Sequence, residues 1–319
     1  MEKLAYLLLI GYFINTSQSR DQQLNNRPII GVLAQHFHPD DPFPVPGDCY
    51  ISASYVKYLE SAGARVVPIK INQKPEIIEK LLSSVNGVLF PGGDSDVMNS
   101  PFQRNAKMAF EYAVSQRNAG NFFPIWGTCM GFQQLSVLVA QSNVLSAIKG
   151  TWDRPMKLPD LNRDGRMIHE MSDEIFDAVR FEPLTYNAHY NCVSMDSYKK
   201  SEHLQNFFKV LSTNVDSNGK VFISTMEAND FPIYAVQWHP EMNSFEFDNA
   251  EGLGPNIPHT SNAVLLAQHM ANFFVNEAKK NFNKFESKEE EQKHLIYNYQ
   301  TVFSAKYNVF GEQKYVFRT

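Results

Sequence analysis

Two short motifs carry residue types able to do nucleophilic chemistry. Gly127-Thr128-Cys129-Met130-Gly131 sets a cysteine between two glycines, each two positions away. It follows an apolar run, Phe123 to Trp126, and precedes a segment patterned as a helix, Gly131 to Val139. Glycines at these positions permit a tight strand-to-helix turn from which the thiol projects at the end of a sheet. The helix N-terminus beside it favours a thiolate. The second motif is Gln237-Trp238-His239-Pro240-Glu241, at the end of another strand-like run. A turn at Pro240 can fold Glu241 back onto one imidazole nitrogen while the other faces the thiol. Taken alone this motif fits a surface turn equally well. The cysteine and the histidine are 110 residues apart, so only the fold can bring them together. Pro91-Gly92-Gly93 follows a third apolar run. The unobstructed N–H groups of Gly92 and Gly93, with that of Met130, are candidate donors to a developing oxyanion.

The elements that must position these residues alternate between strand and helix. Pro28 to Leu33, Arg65 to Ile69, Gly87 to Phe90 and Phe123 to Trp126 are short, mostly apolar runs expected to be strands. Pro68 puts the second of them near an edge. Tyr50 to Ala62, Pro75 to Leu82, Phe102 to Arg117 and Ser261 to Lys280 have helical spacing. Val221 to Glu227 and Ile233 to Trp238 read as paired strands around a turn near Asn229-Asp230. Apolar strands separated by helices imply a sheet covered on both faces. The expected fold class is α/β, a three-layer α/β/α sandwich with a mainly parallel central sheet. In such sheets the functional loops lie beyond the carboxyl ends of the strands, where these motifs sit.

Composition is that of a globular chain, 43% hydrophobic and 20% charged over 319 residues. The formal net charge of −5 and the lack of a basic stripe argue against a nucleic-acid partner. Lys3, the apolar stretch Leu4 to Ile14 and the small residues Ser17 and Ser19 read as a removable signal peptide, residues 1–19. Residues 20–319 then form a single domain with a C-terminal helix and tail, without a membrane span after signal removal. Three cysteines are too few and too odd a number for a disulfide scaffold, and Cys49 and Cys192 read as small buried hydrophobes. His36, His38, Asp40 and Asp41 are metal-ligand types at loose spacing in a Pro-rich loop, so no metal is expected.

PGG, GxCxG and HPE in this order resemble the class I glutamine amidotransferase superfamily. The stretches ASYVKYLESAGARVVP, NGVLFPGG, GTCMGFQQLS, FISTME and YAVQWHPE are similar to the γ-glutamyl hydrolase family, which cleaves folylpolyglutamates. The resemblance runs from about Pro28 to about Tyr297. It implies a nucleophile at Cys129, a general base and acid at His239, a supporting carboxylate at Glu241 and a second active-site histidine, substrate-binding, at His189. It further implies a secreted or lysosomal homodimer with no cofactor, acting on folylpoly-γ-glutamate. Where the family often has acidic residues after the elbow, this chain has Gln133-Gln134. Two other readings share part of this pattern. One is a glutaminase-type hydrolase of another γ-glutamyl compound, and the other is a catalytically silent folate-binding protein, which the presence of both Cys129 and His239 disfavours.

Overall fold

Apolar runs with β-branched residues form the strands, and helices with one apolar face cover them. The computed structural model describes residues 24–37, 43, 45–247, 256–307 and 309–319. The expected signal peptide, and His38, Asp40 and Asp41 of the Pro-rich loop, lie outside these residues. The strands that matter for the site are β1 (Ile29–Leu33), β2 (Cys49–Ser52), β3 (Arg65–Ile69), β4 (Val88–Phe90), β5 (Ile125–Thr128), β6 (Phe208–Val215), β7 (Val221–Ala228), β8 (Ile233–Val236) and β9 (Gln313–Phe317). The principal helices are α1 (Ala53–Ser61), α2 (Pro75–Leu82), α3 (Pro101–Asn118), α4 (Met130–Ala140), α5 (Asp173–Phe181) and α6 (Ser261–Ala278).

Seven strands form the central sheet in the order β6-β7-β8-β5-β4-β1-β3. Pairings from β8 across to β3 are all parallel, while β6, β7 and β8 pair antiparallel. β3 is the edge strand, where Pro68, lacking an N–H, interrupts no further ladder. Alternation along β1 divides the core. Ile30 and Val32 face α1, α5 and α6, whereas Ile29 and Leu33 face α2, α3 and α4. This is the α/β/α sandwich with a mainly parallel sheet that the sequence implies.

Two departures from the sequence reading bear on the site. The segment Tyr50 to Ala62 is not helical throughout: Cys49–Ser52 is β2, and α1 begins at Ala53. β2 pairs antiparallel with β9, Ser52 opposite Lys314 and Tyr50 opposite Val316, so a partner some 260 residues away overrides the local helical spacing. β6 was not legible at all, because its alternation is broken by register shifts between Val210 and Thr213.

The tail that carries β9 is also fixed by a buried carboxylate. Glu246 Oε2 accepts the N–H of Glu312 at 2.6 Å. Burial pushes the Glu246 carboxyl up to about 7, against the hydrogen bonds from Ser54 and Glu312, and the charges of Glu241 and Glu312 push the same way as burial. A carboxyl raised from its ordinary 4.5 holds its proton more tightly folded than unfolded. Its contribution is therefore complete below pH about 4.5 and is lost as pH rises through about 7. The unfolding free energy from denaturant titration should fall between pH 5 and pH 7.5 by an amount on the order of a few kcal/mol, and Glu246→Gln should flatten that decline. An equal decline in the variant would exclude Glu246 as its source.

Candidate active site

The nucleophile elbow is built by close approach. Cys129 has φ 51° and ψ −106°, outside the regions open to residues with a Cβ. The flanking glycines themselves are not at positive φ. Their role is room: a Cβ on Gly131 would stand 2.1 Å from the Phe90 carbonyl oxygen, and one on Gly127 would stand 2.8 Å from the Gly131 oxygen. The start of α4 thus lies directly on the end of β4. The Cys129 N–H donates to Val236 O at 2.9 Å, extending the β5–β8 pairing to the nucleophile. His239 follows three residues after Val236, which is how the two motifs meet.

Beyond β8 the His239 N–H donates to the Tyr186 carbonyl at 2.8 Å. Pro240 then turns the chain, Glu241 is helical at φ −68° and ψ −21°, and its Oε1 lies 2.7 Å from His239 Nδ1. Both side chains are buried. Because a carboxylate only accepts, Nδ1 carries the proton and Nε2 is left to exchange one. Nε2 has no hydrogen-bond partner among the described residues. Burial disfavours the imidazolium, but the charges of Glu241 and Cys129 outweigh it and raise His239 to about 10.

The three candidate oxyanion donors fare differently. The Gly92 N–H donates to the Tyr55 hydroxyl at 2.7 Å, so it is not available to an oxyanion. Gly92 contributes space instead: a Cβ there would meet His239 Cε1 at 2.6 Å and Cys129 Cβ at 3.2 Å. Gln35, buried, donates its Nε2 to Gly92 O at 2.8 Å. In a trans peptide the C=O and the following N–H point opposite ways, so the Gly93 N–H is turned away from Gln35. Gly93 and Met130 both line the cavity that holds Cys129 and His239. Met130 is the first residue of α4, where an N–H has no intrahelical acceptor.

His189 also reaches this cavity, whose volume is about 700 Å³. Burial pushes its imidazole down to about 3, so the ring is neutral. Its Nδ1 donates to Asn191 O at 3.0 Å and its Nε2 lies 3.1 Å from Asn187 Oδ1. The loop Tyr186 to Asn191 therefore supplies a backbone acceptor to His239, the Ala188 carbonyl 3.9 Å from Cys129 Sγ, and a fixed neutral ring. Gln133 donates Nε2 to Asn191 O at 2.8 Å, so the position after the elbow ties down this loop without a charge. Among the described residues no three metal-ligating side chains cluster. Cys49 and Cys192 are buried and unpaired, their thiols pushed up by burial to about 11 and about 12.

Tyr55 and Gln35 were not found from the sequence. Nothing in their immediate sequence marks either residue, and each has its partner far along the chain. The Tyr55 hydroxyl accepts from Gly92, and burial and the negative charges of Glu241 and Cys129 hold it protonated. Tyr55→Phe leaves the Gly92 N–H buried and unpaired. It should lower stability by about 1–3 kcal/mol and reduce kcat roughly tenfold by loosening the strand end against His239. Unchanged kcat in a folded variant would remove Tyr55 from the machinery.

Residues 28–241 match the peptidase C26 family. Over 294 residues the chain is 41% identical to the γ-glutamyl hydrolase of Homo sapiens, covering 91% of this chain and 90% of that protein. The γ-glutamyl hydrolase of Bos taurus is 41% identical over 292 residues, with 91% and 90% covered. γ-Glutamyl hydrolase B of Dictyostelium discoideum is 36% identical over 322 residues, covering 100% of this chain and 91% of its own. The strained cysteine, the buried histidine–carboxylate pair and the match across both motifs agree, and the chain belongs to the peptidase C26 family.

Proposed function

We propose that this protein is a cysteine hydrolase that cleaves γ-glutamyl amide bonds of folylpoly-γ-glutamates. The observation that carries the chemistry is the strained Cys129 beside a buried His239–Glu241 pair at the wall of one cavity. Similarity over nine-tenths of the chain to proteins named γ-glutamyl hydrolase supports the substrate linkage.

The steps follow from the atoms. The thiol proton passes to His239 Nε2, and Cys129 Sγ attacks the γ-carbonyl carbon of a glutamyl unit. The tetrahedral oxyanion lies between the N–H groups of Gly93 and Met130. His239 gives its proton to the departing amine nitrogen as the C–N bond breaks, leaving a γ-glutamyl thioester. The same imidazole then deprotonates water, which attacks the thioester and releases the γ-carboxylate and the thiol. Glu241 holds the ring and stabilises the imidazolium throughout. His189, neutral and fixed, is a wall for the substrate and not a proton carrier.

Export to a secreted or lysosomal compartment is part of the same reading, with residues 1–19 as the removable leader. We place the active form as a homodimer, as the family resemblance implies, and light scattering of the mature chain tests that assembly.

Cys129→Ala should abolish turnover while the protein stays folded, whereas Cys49→Ala and Cys192→Ala should retain activity, since burial keeps both thiols protonated. Substantial activity in verified Cys129→Ala protein would sink the nucleophile assignment. Linkage gives a separate test. An α-linked glutamyl peptide moves the scissile carbonyl along the side chain and exchanges its place with the free carboxylate. Misplacement by about an ångström already costs roughly a hundredfold in rate. γ-Linked polyglutamate should therefore exceed α-linked polyglutamate of equal length in kcat/KM by at least about that factor. Equal values would show that the γ-specificity is wrong even with Cys129 as nucleophile.

A further inference from the structure

The cavity around Cys129 also holds an aromatic pair that the chemistry above does not use. Trp152 and Tyr190 both line it. Their rings are stacked, with centres 4.5 Å apart and planes only 7° from parallel. Both stay open to solvent, Trp152 by 37% and Tyr190 by 60%. Because one face of Tyr190 rests on Trp152, its exposure comes from the other face and the edges. Aromatic rings gain from burial, and large apolar groups left open along a concave wall mark a place where a ligand covers them.

The backbone beneath the pair is fixed. Leu145–Ala147 pairs antiparallel with Asn191–Val193, the residues that directly follow Tyr190. The Ile148 N–H donates to Tyr190 O at 3.0 Å, and the Thr151 hydroxyl donates to His189 O at 2.7 Å. The segments bearing the two rings are thus tied to each other, and they stand at a set distance from the nucleophile. The Ala188 carbonyl lies 3.9 Å from Cys129 Sγ, and Tyr190 is two residues further on, within a backbone reach of roughly 7 Å. In the substrate proposed above, a benzoyl ring is amide-linked to the nitrogen of the first glutamyl unit. A chain of about six bonds, roughly 7 Å when extended, separates that ring from the γ-carbonyl of the same unit. A γ-carbonyl placed on Cys129 therefore brings the ring to Tyr190. The ring carries no charge, so Asp94 and Asp96, which line the same cavity, do not repel it.

We propose that Tyr190, backed by Trp152, is a substrate-binding residue that stacks on the benzoyl ring of the folyl group when the γ-amide of the first glutamyl unit is cut. This inference rests on the γ-glutamyl hydrolase reading. The test compares two γ-linked glutamyl-glutamate dipeptides, one capped on its amine with p-aminobenzoyl and the other with acetyl. Both present the same scissile bond and the same carboxylates. Wild-type protein should favour the aromatic cap in kcat/KM by about tenfold. Tyr190→Ala should lose most of that preference, mainly through KM, and Tyr190→Phe should keep it. Tyr190→Leu serves if Tyr190→Ala does not fold. The wild-type comparison needs no variant, and equal kcat/KM for the two dipeptides overturns the proposal. So does a preference that survives in Tyr190→Ala, or an equal fall on both dipeptides. If wild-type protein cuts γ-linked polyglutamate but neither dipeptide, this inference alone fails. If it spares γ-linked polyglutamate as well, the hydrolase reading fails and this inference with it.

Discussion

The backbone of Cys129 occupies a conformation that a residue with a Cβ adopts only when its surroundings compel it, at an energy of order 1–3 kcal/mol. The compulsion comes from three sides. Val236 fixes the amide, the Phe90 carbonyl presses on Gly131, and the Gly131 backbone presses on Gly127. Relaxing the cysteine would require moving α4 off β4 or β5 off β8. Those contacts belong to a core in which Phe90, Trp126 and Phe132 are fully buried. The packing of the whole sheet thus holds one thiol in position, and the site needs no loop to close for that purpose.

A second constraint is electrical. His239 and Glu241 are both out of water, where a lone charge is strongly disfavoured. Mutual pairing at 2.7 Å and the nearby cysteine reverse that penalty for His239. His189, in the same cavity but without a carboxylate partner, goes the opposite way and stays neutral. Two histidines in one cavity are therefore separated in role by what stands behind each ring.

The parts of the site readable from sequence are those in which local chemistry announces itself. Glycines around Cys129, a proline after His239 and a double glycine after a strand each restrict the backbone, and all three lie at strand ends in the sheet. The parts that were not readable depend on distant partners. Gly92 has the appearance of a donor because nothing covers its N–H in sequence, yet Tyr55, 37 positions earlier, takes that bond. Gln35 sits 57 positions before the carbonyl it orients. β2 is strand and not helix because β9 pairs with it, and no local pattern in Tyr50 to Ala62 encodes β9. Long-range pairing decides these cases, and periodicity does not detect it.

All three cysteines are unpaired, and two of them are kept inert by burial alone. No sulfur–sulfur bond contributes to the fold that seats the nucleophile. Among the cysteines, the redox state of the surrounding compartment therefore acts at one atom, Cys129 Sγ. A reducing medium leaves the scaffold intact, and an oxidising one threatens Cys129 Sγ, which lines an accessible cavity, before it threatens anything structural.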